Sequence, residues 1–396
     1  MDAEKVKVNN IEYPIKIRAN GILEVKVWNP FRKKQCSVYG KNKTELKRKI
    51  RDRITSNAQE KIDATKDTVE QYGQKWLFTY KIKTVKRQTF DIHENMFLRY
   101  INPELGKRKF KDVTDNDLQR ILNNTADRMA YSTVKKVKET ICQCWKFAYD
   151  RGDIEKNILL TLRMPKESQC GKKTKKIEIY NDSEIKKMYN SIIEYYNSHH
   201  FYRISPLFIF LLNTGLRIGE ALVLTHDNID LDNRTVTVKK TLSRVKIRDN
   251  KADGKSYEYI ITEPKTKSSN RVVDMNNTAL WAIKEIQRRN KENNIIKSQY
   301  VFSSESGNFF NPRSIEDTMK RVCTRANIEY HGLHSLRHTF ASRCFQKGIP
   351  VEIVSKILGH SSPAITTKIY IHIMPHMKRD AVLALDEDLE IEENIV

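Results

Sequence analysis

From residue 165 to 176 the sequence runs PKESQCGKKTKK, a stretch with five lysines and almost nothing apolar. Such a segment cannot bury enough side chain to join a core. A chain interrupted in this way folds as separate units on either side, so 164–178 is expected to be a basic linker. With 396 residues in all, two or three domains are expected, each with material for its own core.

The amino-terminal side divides again where the hydrophobic period changes. In residues 1–60 it is two: Tyr13, Ile15 and Ile17 alternate with polar residues, Ala19-Asn20-Gly21 turns, and Val25 and Val27 alternate again. A third strand is expected around Gln35–Tyr39, followed by a basic helix over 44–53. The reading for 1–60 is three strands plus a helix, carrying fifteen Lys and Arg against seven Asp and Glu. Over 65–160 the period becomes helical. Val69, Tyr72 and Trp76 share a face, as do Val134, Val137, Ile141, Trp145 and Ala148 on a helix stopped near Gly152. Thr114 and Asp117 resemble a capping box that leads into Leu118, Ile121 and Leu122. The aromatic residues here fall at core spacing rather than as a stacking platform.

Charge narrows the function classes. The chain has 72 Lys and Arg against 49 Asp and Glu, a formal charge of +23 and a pI near 9.6, which points to a polyanion, most often nucleic acid. The longest apolar run, 206–212, falls far short of the roughly 20 residues that span a bilayer. The first ten residues lack the apolar core of a secretion signal. Six cysteines form no CxxC pair, so they are read as reduced thiols in a cytoplasmic protein. The residues from 386 to 396 read as an acidic tail, with six acids between Asp386 and Glu393.

Chemistry concentrates after the linker, over 179–385. Ile185, Met188, Ile192 and Tyr196 open a mixed, mainly helical domain with a small antiparallel sheet. LLNTGLRIGEALVL (211–224) places Arg217 and Glu220 three apart beside a Thr-Gly turn; taken alone, the pair reads as a surface salt bridge. Strands are expected over 235–238, 257–262 and 271–273. The last two are read as a hairpin with Lys265 and Lys267 at its tip, and taken alone those lysines are solvated turn residues. His334 and Arg337, three apart at a helix start, can address one ligand. Pro350 opens a helix that Gly359 closes, with His360 next, and Ser362-Pro363 starts another that carries Tyr370.

TGLRIGEAL, PKTKSS, HSLRHTFA, ILGHSS and TTKIYIH occur in that order between residues 211 and 372. Together they resemble the tyrosine recombinases, the phage-integrase family, most closely an integrase of a conjugative transposon or prophage. The resemblance implies a multidomain fold: an arm-type DNA-binding domain (1–60), a helical core-binding domain (65–160), the linker (164–178) and a catalytic domain (179–385).

It also implies roles. Arg217 and Arg337 are the catalytic arginines, His334 and His360 their partners, Lys265 the general acid (Lys267 the alternative) and Tyr370 the nucleophile, with Glu220 supporting Arg217. His338, His372 and Tyr330 are read as structural. The implied reaction cuts and rejoins DNA through a 3′-phosphotyrosyl link, with no ATP, cofactor or metal. The implied partners are double-stranded attachment-site DNA, a homotetramer in the synaptic complex, an excisionase and a host DNA-bending protein, in a bacterial cytoplasm. Residues 377–385 are expected to be a helix that packs on a neighbouring subunit or in cis. The rival readings are a Xer-like dimer resolvase, a type IB topoisomerase-like enzyme and a non-catalytic DNA-binding protein of the same fold.

Overall fold

A computed structural model of the chain describes residues 5–8, 11–29, 34–58, 62–174, 177–195, 203–248, 256–263, 269–295 and 298–367. They divide into two compact units. One holds the described residues up to 174 together with those of 244–258; the other holds the rest.

The first unit opens with five strands where the alternation indicated three. β1 (Lys5–Val8) pairs antiparallel with β2 (Ile11–Pro14). β3 (Lys16–Ile17), β4 (Leu23–Asn29) and β5 (Lys34–Gly40) form an antiparallel sheet in that order. Val6 and Val8 of the unexpected β1 are both about 1% exposed and share a core with Val25, Val27 and Val38. Leu46 and Ile50 of the helix Lys43–Ala58 close that core. β1 escaped the pattern because two valines among lysines are too short a run to register as a strand. The partner, β2, supplies the stability.

The helical part is built from Val69–Lys75, Arg87–Met96, Asp115–Ala126 and Tyr131–Asp150. The Thr114–Asp117 capping box forms as the sequence indicates: each partner bonds the other's backbone N–H. Tyr72 stacks on Phe110, which in turn stacks on Trp145, so these aromatic rings are core.

Much of the expected linker docks on this unit. Glu167–Gln169 makes a 3-10 turn, the Gly171 N–H donates to the Ala126 carbonyl at 2.8 Å, and Lys172 bridges to Ala130. Its lysines need no core position, because backbone hydrogen bonds hold the segment. Composition speaks to side-chain burial and says nothing of backbone pairing.

The segment 244–258 also belongs to the first unit. There Lys246 and Arg248 meet two buried acids of the helix Arg87–Met96, Asp91 and Glu94. Arg248 lies 4.4 Å over the Phe90 ring, and Arg87 pairs with Glu258 at 2.9 Å.

In the second unit the apolar helix Pro206–Thr214 is the central post, buried along nearly its whole length. The helices Asn277–Glu292 and Leu333–Gln346 pack on it. Strand pairing corrects the expected hairpin. β10 (Arg271–Asp274) pairs with β7 (Thr235–Val238), which pairs with β6 (Ile229–Asp230). β9 (Tyr257–Thr262) pairs instead with β8 (Thr241–Lys246), a strand the sequence reading passed over. Period-two alternation identifies a strand but not its partner, and the default of pairing sequence neighbours failed here. No helix among the described residues is long and apolar enough to cross a membrane.

Candidate active site

The site is assembled at two chain reversals and one short helix of the second unit. The first ends the central post. Gly215 takes φ +65°, a left-handed conformation that stops the helix. A Cβ there would come within 2.5 Å of the Phe340 ring and 2.8 Å of Leu358, so both the turn and its packing require glycine.

The second reversal is Gly359 (φ +66°), which closes the helix Val351–Leu358 just before His360. Arg337, 2% exposed, spans these two helix ends. Its Nη1 donates to the Gly215 carbonyl at 2.8 Å and its Nη2 to the Leu358 carbonyl at 2.7 Å. Carbonyls at helix C-termini carry partial negative charge and lack helical partners, which suits them to a buried cation. Burial first, then repulsion from Arg217 and Arg271, pushes the Arg337 pKa down to about 9 against the pull of Glu220. It stays protonated at neutral pH.

Arg217 precedes the short helix Ile218–Ala221 and is bound to Glu220, its third residue. The Glu220 carboxylate accepts the Arg217 backbone N–H at 3.0 Å and its Nη1 at 2.7 Å. The surface salt bridge read from the sequence is therefore half right. Arg217 is partly open, its side chain 35% exposed, whereas Glu220 is 2% exposed. Among the described residues the Nε and Nη2 of Arg217 have no hydrogen-bond partner, leaving one edge of the fork for a ligand.

Glu220 is shared. Arg271 of β10, a residue the sequence reading did not single out, donates to it from Nη2 at 3.0 Å and from Nη1 at 3.4 Å. Burial would raise the Glu220 pKa, but Arg271 and then Arg217 outweigh it and the net shift is downward. One carboxylate thus faces two guanidiniums, with Arg337 close enough to be repelled by both.

Three histidines surround this charge. His360 is half-buried, and its Nδ1 lies 2.7 Å from Oγ1 of the buried Thr366. Burial, then Arg337 and Arg217, drive its pKa down to about 3. His334 begins the helix Leu333–Gln346 with part of its surface open. The protein packed on its inner side, then His338, Arg337 and Arg217, push its pKa below the usual imidazole range. His338 stands edge-on to His334, ring centroids 4.6 Å apart, and is lowered to about 4 by burial and Arg337. At neutral pH all three are neutral: able to accept a proton, and each with one N–H to donate.

The structure therefore gathers Arg217, Glu220, His334, Arg337 and His360 from the residues singled out in sequence, and adds Arg271 and Thr366. Lys265, Lys267 and Tyr370 lie outside the described residues, as do His372, 377–385 and the acidic tail. Their sequence neighbours are placed: Glu263 and Ser269 flank the lysine segment, and Thr367, three residues before Tyr370 in sequence, is the last described residue. The pKa of the Tyr330 phenol is pushed up by burial and Glu316. Among the described residues no cluster of His, Cys, Asp and Glu is arranged to hold a metal.

Comparison with known proteins bears on the same regions. Residues 181–377 match the phage integrase family and residues 69–164 the phage integrase central domain. A XerC-like tyrosine recombinase of Caldanaerobacter subterraneus subsp. tengcongensis is 31% identical over 362 residues, covering 88% of this chain and 90% of that protein. The transposase of transposon Tn916 from Enterococcus faecalis is 24% identical over 302 residues, 70% of this chain and 68% of that one. In fold, the Tn1549 transposon integrase, solved in complex with transposon right end DNA, gives a TM-score of 0.62 at 21% identity, covering 79% of this chain and 99% of that one. A lambda integrase dimer bound to a COC′ core site gives 0.54 at 14% identity, covering 90% and 93%. With three arginines gathered around one buried acid, histidines at their rim and this kinship across most of its length, the chain belongs to the phage integrase family, the tyrosine recombinases.

Proposed function

We propose that this site-specific recombinase integrates and excises a mobile element, with Tyr370 as nucleophile and the Arg217–Arg337 cluster as its phosphate site. The observation that carries the reading is the surplus of positive charge at the cluster, where the single carboxylate of Glu220 is shared by Arg217 and Arg271 with Arg337 beside them.

Attack on a phosphodiester builds negative charge on the non-bridging oxygens. Guanidiniums fixed beforehand by protein carbonyls and a carboxylate meet that charge without reorganising. The phenol proton passes to neutral His334 as the Tyr370 oxygen bonds to phosphorus and the bond to the 5′ oxygen breaks. Lys265 gives that oxygen a proton, and His360, held by Thr366 at Nδ1, has its other nitrogen left for a phosphoryl oxygen. A 5′-hydroxyl from a partner duplex then attacks the phosphotyrosine, conserving the bond without ATP.

The rest of the reading follows the family. Residues 1–60 bind distal arm sites, the helical part binds core sites, and four protomers synapse two duplexes in a bacterial cytoplasm. An excisionase and a DNA-bending protein set direction. Relatives lend support: solved lambda integrase forms include a tetramer bound to a Holliday junction. The XerC-like name of the 31%-identical relative favours a second reading, a resolvase of chromosome or plasmid dimers. Deleting residues 1–60 separates the two readings, since a resolvase keeps full recombination without them, whereas an integrase loses distal-site affinity and keeps core cleavage.

The test of the main reading is a suicide duplex, nicked near a candidate attachment site and incubated in EDTA without ATP. A denaturing gel then shows whether protein becomes covalently joined to DNA. A band in the wild type that vanishes in Tyr370→Phe is expected. A band that survives the substitution would move the nucleophile elsewhere; tight binding with no band in either protein would favour a non-catalytic role.

A further inference from the structure

We infer that Arg271 is a positioning residue of the cleavage site, holding Glu220 against Arg217 while tying the end of the helix that precedes His360 to strand β10. All three guanidinium nitrogens are committed. Nη2 and Nη1 grip the Glu220 carboxylate, Nη1 also donates to the Ser269 carbonyl at 3.2 Å, and Nε donates to the Ile357 carbonyl at 2.6 Å. The side chain is 6% exposed, so these bonds form in a medium that makes each of them count.

The consequence is geometric. Glu220 is the only described partner of the Arg217 guanidinium, and it also caps the turn at Arg217 through the backbone N–H. Whatever fixes the carboxylate plane fixes the direction of the open Arg217 edge. Ile357 lies one residue before Leu358, whose carbonyl holds Arg337, and three before His360. Arg271 thus joins the supports of Arg217, Arg337 and His360 in one fork. It also stands two residues from Ser269, where the segment carrying Lys265 re-enters the described chain. A lysine cannot replace it, because an ammonium is a point donor and cannot serve the carboxylate and a carbonyl on its far side together.

The alternative is a fork that only fills and neutralises a buried space. A double-substitution cycle in cleavage rate separates the two, with Glu220→Gln keeping the shape of its partner. The inference rests on the proposed function for this readout. On the suicide duplex, Arg271→Ala lowers the rate of covalent complex formation by about 10- to 100-fold, the range seen when groups that orient other ligands are removed. In the Glu220→Gln background the same change costs far less, because the relay is already cut. Equal losses in both backgrounds overturn the inference. So does recovery of the rate by Arg271→Lys, which keeps the charge and loses the fork, and which stands in if the alanine variant does not fold.

A second measurement does not depend on cleavage. Amide hydrogen exchange, read by mass spectrometry on peptides covering 214–222 and 355–361, speeds up in both Arg271→Lys and Arg271→Ala, while exchange over 277–292 stays as in the wild type. Unchanged exchange in the first two peptides sinks the inference whatever the enzyme does. A wild type that shows no covalent band while its Arg271 variants show the expected exchange sinks the recombinase reading and leaves the relay standing.

Discussion

Among the described residues, two of the clusters that bury carboxylates beneath cations do opposite things with the charge. In the first unit Asp91 and Glu94, 8% and 5% exposed, meet Lys246 and Arg248: two acids, two bases, charges in balance. In the second unit Glu220 meets Arg217 and Arg271 with Arg337 beside them: one acid, three bases. A balanced cluster satisfies itself and fastens chain to chain. An unbalanced one is held in place at an electrostatic cost until an anion arrives. What marks the proposed phosphate site is the unanswered charge, since basic residues as such are everywhere in a chain of net charge +23.

The largest effect expected from this contrast is on rate. Arg217→Ala removes the open edge of the surplus cluster and should slow covalent complex formation by roughly 100- to 1000-fold, the cost of losing one preorganised donor at a developing oxyanion. Arg248→Ala, taken from the balanced cluster, should leave single-turnover cleavage at saturating protein within a few-fold of wild type. If the two variants lose comparable rate, the distinction between the clusters fails.

Stability responds next. Glu220→Ala leaves two guanidiniums facing each other in a nearly dry site, and removing one partner of a buried pair typically costs about 3–5 kcal/mol. Urea unfolding followed by a probe in the second unit measures this. A loss below about 1 kcal/mol would mean that water enters freely and the carboxylate is no keystone.

Acid should reach the histidines late. His338 and His360 have folded pKa values of about 4 and about 3, against about 6.5 for an unfolded histidine. Below pH 6.5 the unfolded chain takes up protons that the folded site refuses, so stability falls as pH drops from about 6.5 toward 4 and 3. Above 6.5 both states are neutral and the slope from these groups disappears. The cleavage rate of the free enzyme should likewise hold down to pH 6, because the pKa of His334, the proposed proton acceptor, is held below the usual imidazole range. A rate that falls by half or more between pH 7 and 6 would show that an ordinary imidazole, or some other group, governs the reaction.

Which of these features the sequence displays follows from how each is encoded. Arg217, His334, Arg337 and His360 sit within short, dense motifs at helix ends, where Gly215 and Gly359 signal the turns that present them. Arg271 occupies the first place of an alternating RVVD strand, where an arginine reads as solvent-facing, and its partner Glu220 lies 51 residues earlier. No spacing rule spans that distance. The same limit explains the strand pairing: β9 and β10 each show their period, but their partners β8 and β7 are a matter of tertiary packing. Helices over 65–160 were plain because an amphipathic stripe carries its own evidence locally. The docking of 166–172 was not, because backbone hydrogen bonds leave no trace in composition.

The smallest expected effect tests how finely the surplus cluster is built. Thr366 is fully buried and its hydroxyl is the described partner of His360 Nδ1. Thr366→Val keeps the volume, leaves that nitrogen without its partner, and should cost about 1 kcal/mol of stability, the usual net worth of one hydrogen bond. The ring would then be free to turn, and the rate should fall by about 5-fold, equivalent to that same 1 kcal/mol in the barrier. Thr366→Ser keeps the hydroxyl and should restore most of the rate despite a lost methyl group. If serine and valine behave alike, the contact matters for packing alone and His360 is oriented by its backbone at the Gly359 turn. If serine restores the rate, orientation of a neutral imidazole by one hydroxyl is part of how the surplus charge is aimed.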